Sequence, residues 1–150
     1  MIGSMSRQGV ATVIVLAGLL LGGGCSQQAA TRDDMIHALT ESHSALASAT
    51  QALDLLAESR LTEAAAETAV DDMSQQIGDA QSSLEPISVE DDAQQADRDA
   101  TVQAVTSGLT ALLLLRDQLR QSQDTAGARS AIAAADRTIT DLSARLRASG

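Results

Sequence analysis

Aliphatic residues recur along most of this chain at alternating spacings of three and four residues, and this pattern constrains the fold more than any other feature. The spacing brings residues such as Leu39, Leu46 and Leu53 to one face of a helix. The phase of the repeat shifts near Arg60 and again near Gln123, which predicts separate amphipathic helices with coiled-coil-like faces. The repeats span residues 35–56, 66–84, 102–119 and 128–146.

The composition favours helices over strands. The chain contains no Phe, Trp or Tyr, so its core has to be built from Leu, Ile, Val, Met and Ala. These side chains suit closely spaced helices, whereas sheets favour aromatic and β-branched residues. We therefore expect an all-α protein, and a length of 150 residues leaves room for one compact domain.

Residues that start and stop helices stand at the breaks between the repeats. Pro86, the one proline of the chain, ends the second repeat because its ring cannot continue the backbone hydrogen bonds of a helix. Polar residues with N-cap character precede each repeat, and the first three are followed by an acidic residue in the first turn. These N-cap candidates are Thr31, Thr62, Ser88 and either Asp124 or Thr125.

Short connections favour antiparallel neighbours, so we predict an up-down-up-down four-helix bundle over residues 33–150. An alternative is a long antiparallel helical hairpin, with residues 33–84 against residues 88–148, because no Gly or Pro interrupts residues 55–70. The phase shifts near Arg60 and Gln123 argue against the hairpin, since a continuous helix would have to absorb them as stammers or stutters.

The N-terminal segment is organised like a secretory signal. One cation, Arg7, precedes the apolar run VATVIVLAGLLL at residues 10–21, which is too short to span a bilayer and has the length of a signal-peptide hydrophobic region. Three glycines then lead to Cys25, the one cysteine of the chain. A lone cysteine has no internal disulfide partner, and a free thiol is a liability in an oxidising envelope.

The segment 22–25, Gly-Gly-Gly-Cys, resembles the lipobox of bacterial lipoprotein precursors, in which the cysteine is lipidated and the chain is cut just before it. Leu21 stands one position further upstream than the usual leucine of that motif. The resemblance implies a lipoprotein signal peptide over 1–24, a lipidated Cys25 opening a tether over 25–32, and a helical domain over 33–150. Palmitate-type acyl chains would hold the domain on the extracytoplasmic side of the cell membrane or outer membrane.

The charge of the chain excludes some partners. The formal net charge is −10, and the ten basic residues, all Arg, are scattered along the sequence. Phosphate backbones and anionic lipid surfaces repel such a domain, so we expect no nucleic-acid partner and no electrostatic binding to a membrane. Contact with the membrane therefore depends on the acyl chains.

Residues able to carry catalysis or to hold a metal ion are scarce. His37 and His43 are the two histidines, and their spacing places them on different sides of one helix instead of forming a two-His metal clip. Folding about the first turn sets His43 level with Gly78 and away from Met73, which argues against a haem ligand pair. No nucleophile elbow, phosphate-binding loop or free Cys/His pair occurs. We expect no enzyme activity, no cofactor and no metal site.

The third repeat contains two candidate interaction sites. Arg116 is the one charged residue on a predicted helix seam. We expect its guanidinium either to snorkel to solvent at the distal end of the bundle or to pair with an acid such as Glu58 or Glu63. A run of four leucines is too wide for a single seam to bury and is a candidate exposed contact face. The run consists of Leu112, Leu113, Leu114 and Leu115.

These features favour a non-enzymatic structural or protein-interaction module whose partner is another envelope protein or a second copy of the chain. The lipobox and the heptads resemble those of small alanine-rich envelope lipoproteins, but the C-terminal Lys through which the best-known of these joins peptidoglycan is absent.

An alternative function is that of an extracytoplasmic binding, chaperone or sensing module for a small ligand, lipid or metal. Two segments beginning Leu-Thr-Glu, at residues 39–41 and 61–63, resemble the LTxxQ repeats of periplasmic helical chaperone-sensors without their glutamine. An aliphatic, alanine-rich core packs tightly and leaves little cavity, which favours the interaction module.

Overall fold

Four α-helices make up most of the chain that the structure describes. The computed structural model describes the backbone of residues 24–149 and the side chains of residues 28–149. The helices are α1 (Gly24–Ala57), α2 (Glu63–Ser83), α3 (Asp92–Arg120) and α4 (Ala126–Ala148). No strand occurs within residues 24–149, and the prediction of an all-α protein is confirmed.

The helices form an up-down-up-down bundle. Each helix packs against the next along the chain, and contacts between α1 and α4 close the ring. Thr40 contacts Arg147 near the end of α4, whereas Asp54 contacts Arg129 near its start, so α1 and α4 are antiparallel. The prediction of a four-helix bundle is confirmed, and the long hairpin is not formed. The connections between the helices are residues 58–62, 84–91 and 121–125.

The core is aliphatic and follows the predicted repeats in α1, α2 and α4. Each fully buried Leu, Ile or Val side chain contributes roughly 1.5–3 kcal/mol relative to exposure, so apolar burial is the main source of stability. The largest fully buried aliphatic side chains are Leu39, Leu46, Val70, Ile77, Leu84, Val105, Leu112, Leu115, Ile132, Ile139 and Leu146.

The buried face of α3 is rotated away from the predicted repeat. Val102, Leu109 and Arg116 of that repeat are only half-buried, while the small residues Gly108 and Ala111 are buried. A Cβ atom placed on Gly108 would lie 3.5–3.6 Å from side chains of the other three helices. Because three neighbours converge on this face, only small residues fit at its centre, and larger side chains lie at its edges.

The first helix begins upstream of the boundary predicted for it. The predicted tether, residues 25–32, is helical, and Thr31 lies inside α1 with its buried Oγ1 3.4 Å from the carbonyl oxygen of Ser88. The prediction that Thr31 caps the helix is wrong because the backbone is already helical from Gly24 onward.

The remaining helix starts follow the predicted caps in part. Thr62 caps α2, since its Oγ1 accepts a hydrogen bond from the Ala65 N–H at 3.2 Å. Asp91, and not Ser88, caps α3 by accepting from the Gln94 N–H. Before α4, Thr125 occupies the cap position, and the hydrogen bond comes from its neighbour: Asp124 Oδ1 accepts from the Ala126 N–H at 3.0 Å.

Two serines occupy turn positions that usually belong to glycine. Ser59, after α1, has a φ of 57°, and Ser122, after α3, has a φ of 48°. After α1, the Arg60 N–H donates to the Leu55 carbonyl at 2.8 Å, and an equivalent bond follows α3, which is the Schellman pattern of helix ends. Because serine replaces glycine here, the turn after α1 has no glycine or proline to signal it.

Candidate functional site

The structure places the four leucines of the predicted contact face at different depths. Leu112 and Leu115 are fully buried, Leu113 is half-buried, and Leu114 is 41% exposed. A helix turns by about 100° per residue, so four consecutive residues cannot share one face. Leu114 is the one exposed large hydrophobic side chain among residues 28–149, and the predicted contact face therefore depends on it.

Leu114 lies at one end of a shallow groove between α3 and α4. The groove has a volume of about 540 Å³ and is lined by small or uncharged side chains. Its wall and floor residues include Thr106, Thr110, Ala111, Ala131, Ala134 and Thr138. At the far end the groove adjoins Arg145, whose Nη2 is 3.1 Å from Asp97 Oδ1.

Arg116 pairs with an acid, but the acid is neither Glu58 nor Glu63. Its Nη1 is 3.6 Å from Oδ1 of Asp71 on α2. The antiparallel packing of α2 on α3 sets Glu63 level with Ser122, with 3.5 Å between their side-chain oxygens. Arg116 lies further back along α3 and is therefore level with Asp71.

Arg120 extends the charged edge between α2 and α3. Its Nε donates to Glu67, and its Nη2 is 3.5 Å from Asp71 Oδ2. The hydrogen bond to Glu67 raises the pKa of the Arg120 guanidinium further above its ordinary value, so Arg120 is charged at any physiological pH. Exposed ion pairs of this kind contribute about 0–1 kcal/mol each.

The two histidines have separate partners. His37 is on the exposed face of α1, with Nε2 3.4 Å from Glu41 Oε1. His43 faces α4, where its Nδ1–H donates to Asp136 Oδ1 at 2.6 Å. The partner of His43 is therefore a carboxylate on α4, and not Met73 on α2. Within the described part of the chain, no group of three or more His, Cys, Asp or Glu side chains is placed to hold a metal ion.

The predicted anchor is only partly within the described residues. The backbone of Cys25 lies in the first turn of α1, while its side chain and residues 1–23 of the predicted signal peptide lie outside the described part. Lipidation of Cys25 therefore stays a prediction. None of the helices between residues 24 and 149 combines the length and the apolar character needed to cross a bilayer.

Two polar residues of interest on α4 are not predicted from the sequence. Asp136 is 93 positions away from His43, and Ser143 is buried on the same helix. Sequence spacing detects pairs within one helix, such as His37 and Glu41. Pairs between α1 and α4 depend on how the two helices are set against each other.

Comparison with known proteins provides no relative for this chain. No protein-family model, curated protein or solved structure matches it. Its function therefore has to be inferred from its own residues and their geometry.

Proposed function

We propose that this chain is a membrane-anchored bacterial envelope lipoprotein that acts as a non-enzymatic structural or protein-interaction module. Acyl chains on Cys25 hold it at the cell membrane or outer membrane, with the bundle on the extracytoplasmic side. The observation that carries the interaction role is the uncharged groove between α3 and α4 with Leu114 at its end. The partner is another envelope protein or a second copy of the chain.

The chemistry of the groove supports a protein partner. Small side chains such as Ala131, Ala134 and Thr138 allow another backbone or helix to approach closely, and Leu114 supplies an apolar anchor of the kind that dominates binding energy. The chain carries a net charge of −10, whereas the groove lining carries none. Another acidic protein can therefore dock there without placing like charges opposite each other.

The interior supports an interaction role over ligand storage. Leu39, Ile77, Leu112 and Ile139 come from the four helices, are fully buried and belong to one cluster. Protein interiors built in this way are close-packed, and ligand cavities usually need concave, roomy pockets. The space open to a partner is therefore on the surface.

The anchor is tested by replacing the cysteine. Cys25→Ser is expected to abolish incorporation of labelled palmitate and to release the protein from the membrane fraction, because no other attachment is proposed. Ser26→Ala, at the neighbouring position, is the matched control and is expected to stay membrane-bound and labelled. A Cys25→Ser protein that remains in the membrane fraction would sink the anchor proposal.

The interaction role is tested by native mass spectrometry of the protein purified gently from its own envelope. We expect a complex with a protein partner or with a second copy, and Leu114→Gln is expected to dissociate it. Ala64→Gln, an exposed position on α2, serves as the control and is expected to leave the complex intact. A monomer that retains a small molecule or a metal would instead favour the binding or sensing module.

A further inference from the structure

Ser143 differs from the other buried hydroxyl residues of the bundle. Ser42, Ser74 and Thr101 donate to the backbone carbonyl four residues earlier, at 2.7–2.8 Å, and Thr31 donates to Ser88. Ser143 is 6% exposed, and its Oγ has no hydrogen-bond partner among the described residues. Buried hydroxyl groups nearly always have a partner. Because the Ser143 Oγ is itself closed to solvent, a rotation of its side chain about χ1 is needed to bring the hydroxyl to a partner outside the helix.

Ser143 lines a small groove between α1 and α4. The groove has a volume of about 160 Å³, which suits a small ion and is too small for a nucleotide. Leu39 and Ile139 form its apolar floor. Its polar side chains are Thr40, His43, Thr140, Ser143 and Arg147.

The charge of this groove is unusual for an acidic protein. Arg147 and His43 line it, and no carboxylate does. Two larger grooves that contain an arginine also contain acids, which are Asp141 beside Arg145 and both Glu63 and Asp124 beside Arg129. The chain has twice as many acidic as basic residues. A groove in which the ionisable lining residues are all basic therefore favours an anion.

Contacts across the groove hold both basic groups in place. Arg147 Nη2 donates to Thr40 Oγ1 at 3.3 Å, which ties the guanidinium to α1. His43 donates through Nδ1 to Asp136, a residue outside the groove lining. This bond fixes the imidazole ring and leaves Nε2 as its second polar atom.

We propose that the groove between α1 and α4 binds a small oxyanion of the size of inorganic phosphate. The Arg147 guanidinium presents a planar set of N–H donors that suits phosphate and carboxylate oxygens. Rotation about χ1 turns the Ser143 hydroxyl toward the ion from the buried side, and the His43 imidazole lines the same groove. This site is on the opposite flank of α4 from the α3–α4 groove, so it does not depend on the proposed interaction role.

The position of the groove favours a dissolved ion over a lipid headgroup. Thr40 lies roughly 20 Å along α1 from Cys25, at about 1.5 Å per residue. Acyl chains on Cys25 would place the headgroups of the membrane near the start of α1, away from the groove. The anion therefore comes from solution.

The two histidines supply a probe and an internal control for the test. The full chain is held in a nonionic detergent at constant pH and ionic strength, and the imidazole Cε1–H signals are followed by NMR during titration with inorganic phosphate. We expect the His43 signal to shift and to saturate. The His37 signal is expected to stay in place, because His37 is on the exposed face beside Glu41.

Three variants assign the binding groups. Arg147→Gln is expected to raise the dissociation constant of phosphate by about tenfold or more, since it removes a charged donor. Ser143→Ala is expected to raise it by a smaller factor without disturbing the fold. Arg137→Gln removes the same charge from an exposed position of α4 outside the groove and is expected to leave the constant unchanged.

Several outcomes overturn the oxyanion site. Equal shifts of both histidine signals, a shift that does not saturate, or a constant unaffected by Arg147→Gln would each show that phosphate acts only by general screening. A His43 shift caused by phosphatidylglycerol micelles but not by inorganic phosphate would also overturn it, and would reassign the groove to a lipid headgroup.

Discussion

Along its C-terminal half, α3 meets α2 through charged side chains at the surface and α4 through small uncharged ones, whereas near its start the Asp97–Arg145 ion pair also joins it to α4. On the first flank, Arg116 and Arg120 face Asp71 and Glu67. On the second flank, alanines and threonines line a groove that ends at Leu114. The charged flank is closed by its own pairs, whereas the uncharged flank offers surface to another molecule.

The difference separates three parts of one helix: a flank with exposed ion pairs, a buried apolar face, and the flank on which the proposed binding surface lies. Exposed ion pairs order the α2–α3 edge and contribute about 0–1 kcal/mol each. The buried face of α3, which lies between the two flanks and includes Leu112 and Leu115, supplies the stability through apolar burial. Exposed positions of the α3–α4 flank, such as Leu114 and Ala134, can therefore change with little effect on the fold.

The largest expected effect comes from truncating neighbouring leucines. Leu115→Ala should lower the free energy of unfolding by about 2–5 kcal/mol because it leaves a cavity in the core. Leu114→Ala should lower it by less than about 1 kcal/mol, since its side chain is 41% exposed. Urea denaturation of both variants measures the difference. Equal losses of unfolding free energy would contradict the assignment of stability to the buried face of α3.

A second test adds a methyl group to the buried face of α3. Gly108→Ala should raise the free energy of unfolding by about 1 kcal/mol, because alanine is the better helix former and the new Cβ would lie at van der Waals distance, 3.5–3.6 Å, from three side chains. Gly108→Leu should instead destabilise the bundle by about 1–3 kcal/mol through overpacking. Stabilisation by Gly108→Leu would mean that the core around Gly108 is less tightly packed than the distances indicate.

Glycine in the turns after α1 and α3 is expected to have a smaller effect. Ser59→Gly should raise the free energy of unfolding by about 0.5–1 kcal/mol, because a left-handed backbone is unfavourable for serine and acceptable for glycine. Ser122→Gly should gain less, since its Oγ also lies 3.5 Å from Glu63 on the α2 side. Thermal unfolding of the pair measures both values, and a loss in Ser59→Gly would argue against a strained turn.

The smallest effect is expected on the charged flank itself. Asp71→Asn should lower the free energy of unfolding by about 0.5 kcal/mol at low salt, and the loss should vanish near 1 M salt as the charges are screened. Asp141→Asn removes the same charge from an exposed position beside the α3–α4 flank and is the matched control, with little change expected. A loss that persists at high salt would show that the α2–α3 edge carries more stability than exposed pairs supply.

The sequence predicted α4 better than α3. In α4, Ala128, Ile132, Ala135, Ile139, Leu142 and Leu146 recur as predicted and all are buried. In α3, the buried face contains Gly108 and Ala111, which hydrophobicity does not single out. The reason is that side chains of the other three helices converge on Gly108 of α3, so steric room counts there as much as apolar character.

The candidate sites divide in the same way. The sequence singles out Leu114 as part of an apolar run too wide to bury, but not how deeply it lies. It singles out Arg116 as a charged residue on a seam, but not which acid it pairs with. His43 was visible as a histidine, whereas its contact with Asp136 and its place beside Ser143 and Arg147 were not. These contacts join residues that are far apart in the chain.

By itself, the sequence determined the helical class, the order of the four helices and their approximate extents apart from the start of α1, and it predicts a lipidated Cys25. These properties depend on local propensity, caps and the spacing of apolar residues along one helix. Only the tertiary structure decided which leucine is exposed, which acid Arg116 meets and where basic groups gather on α1 and α4. Those features depend on the rotation and register of one helix against another, which are set by the packing of all four helices together.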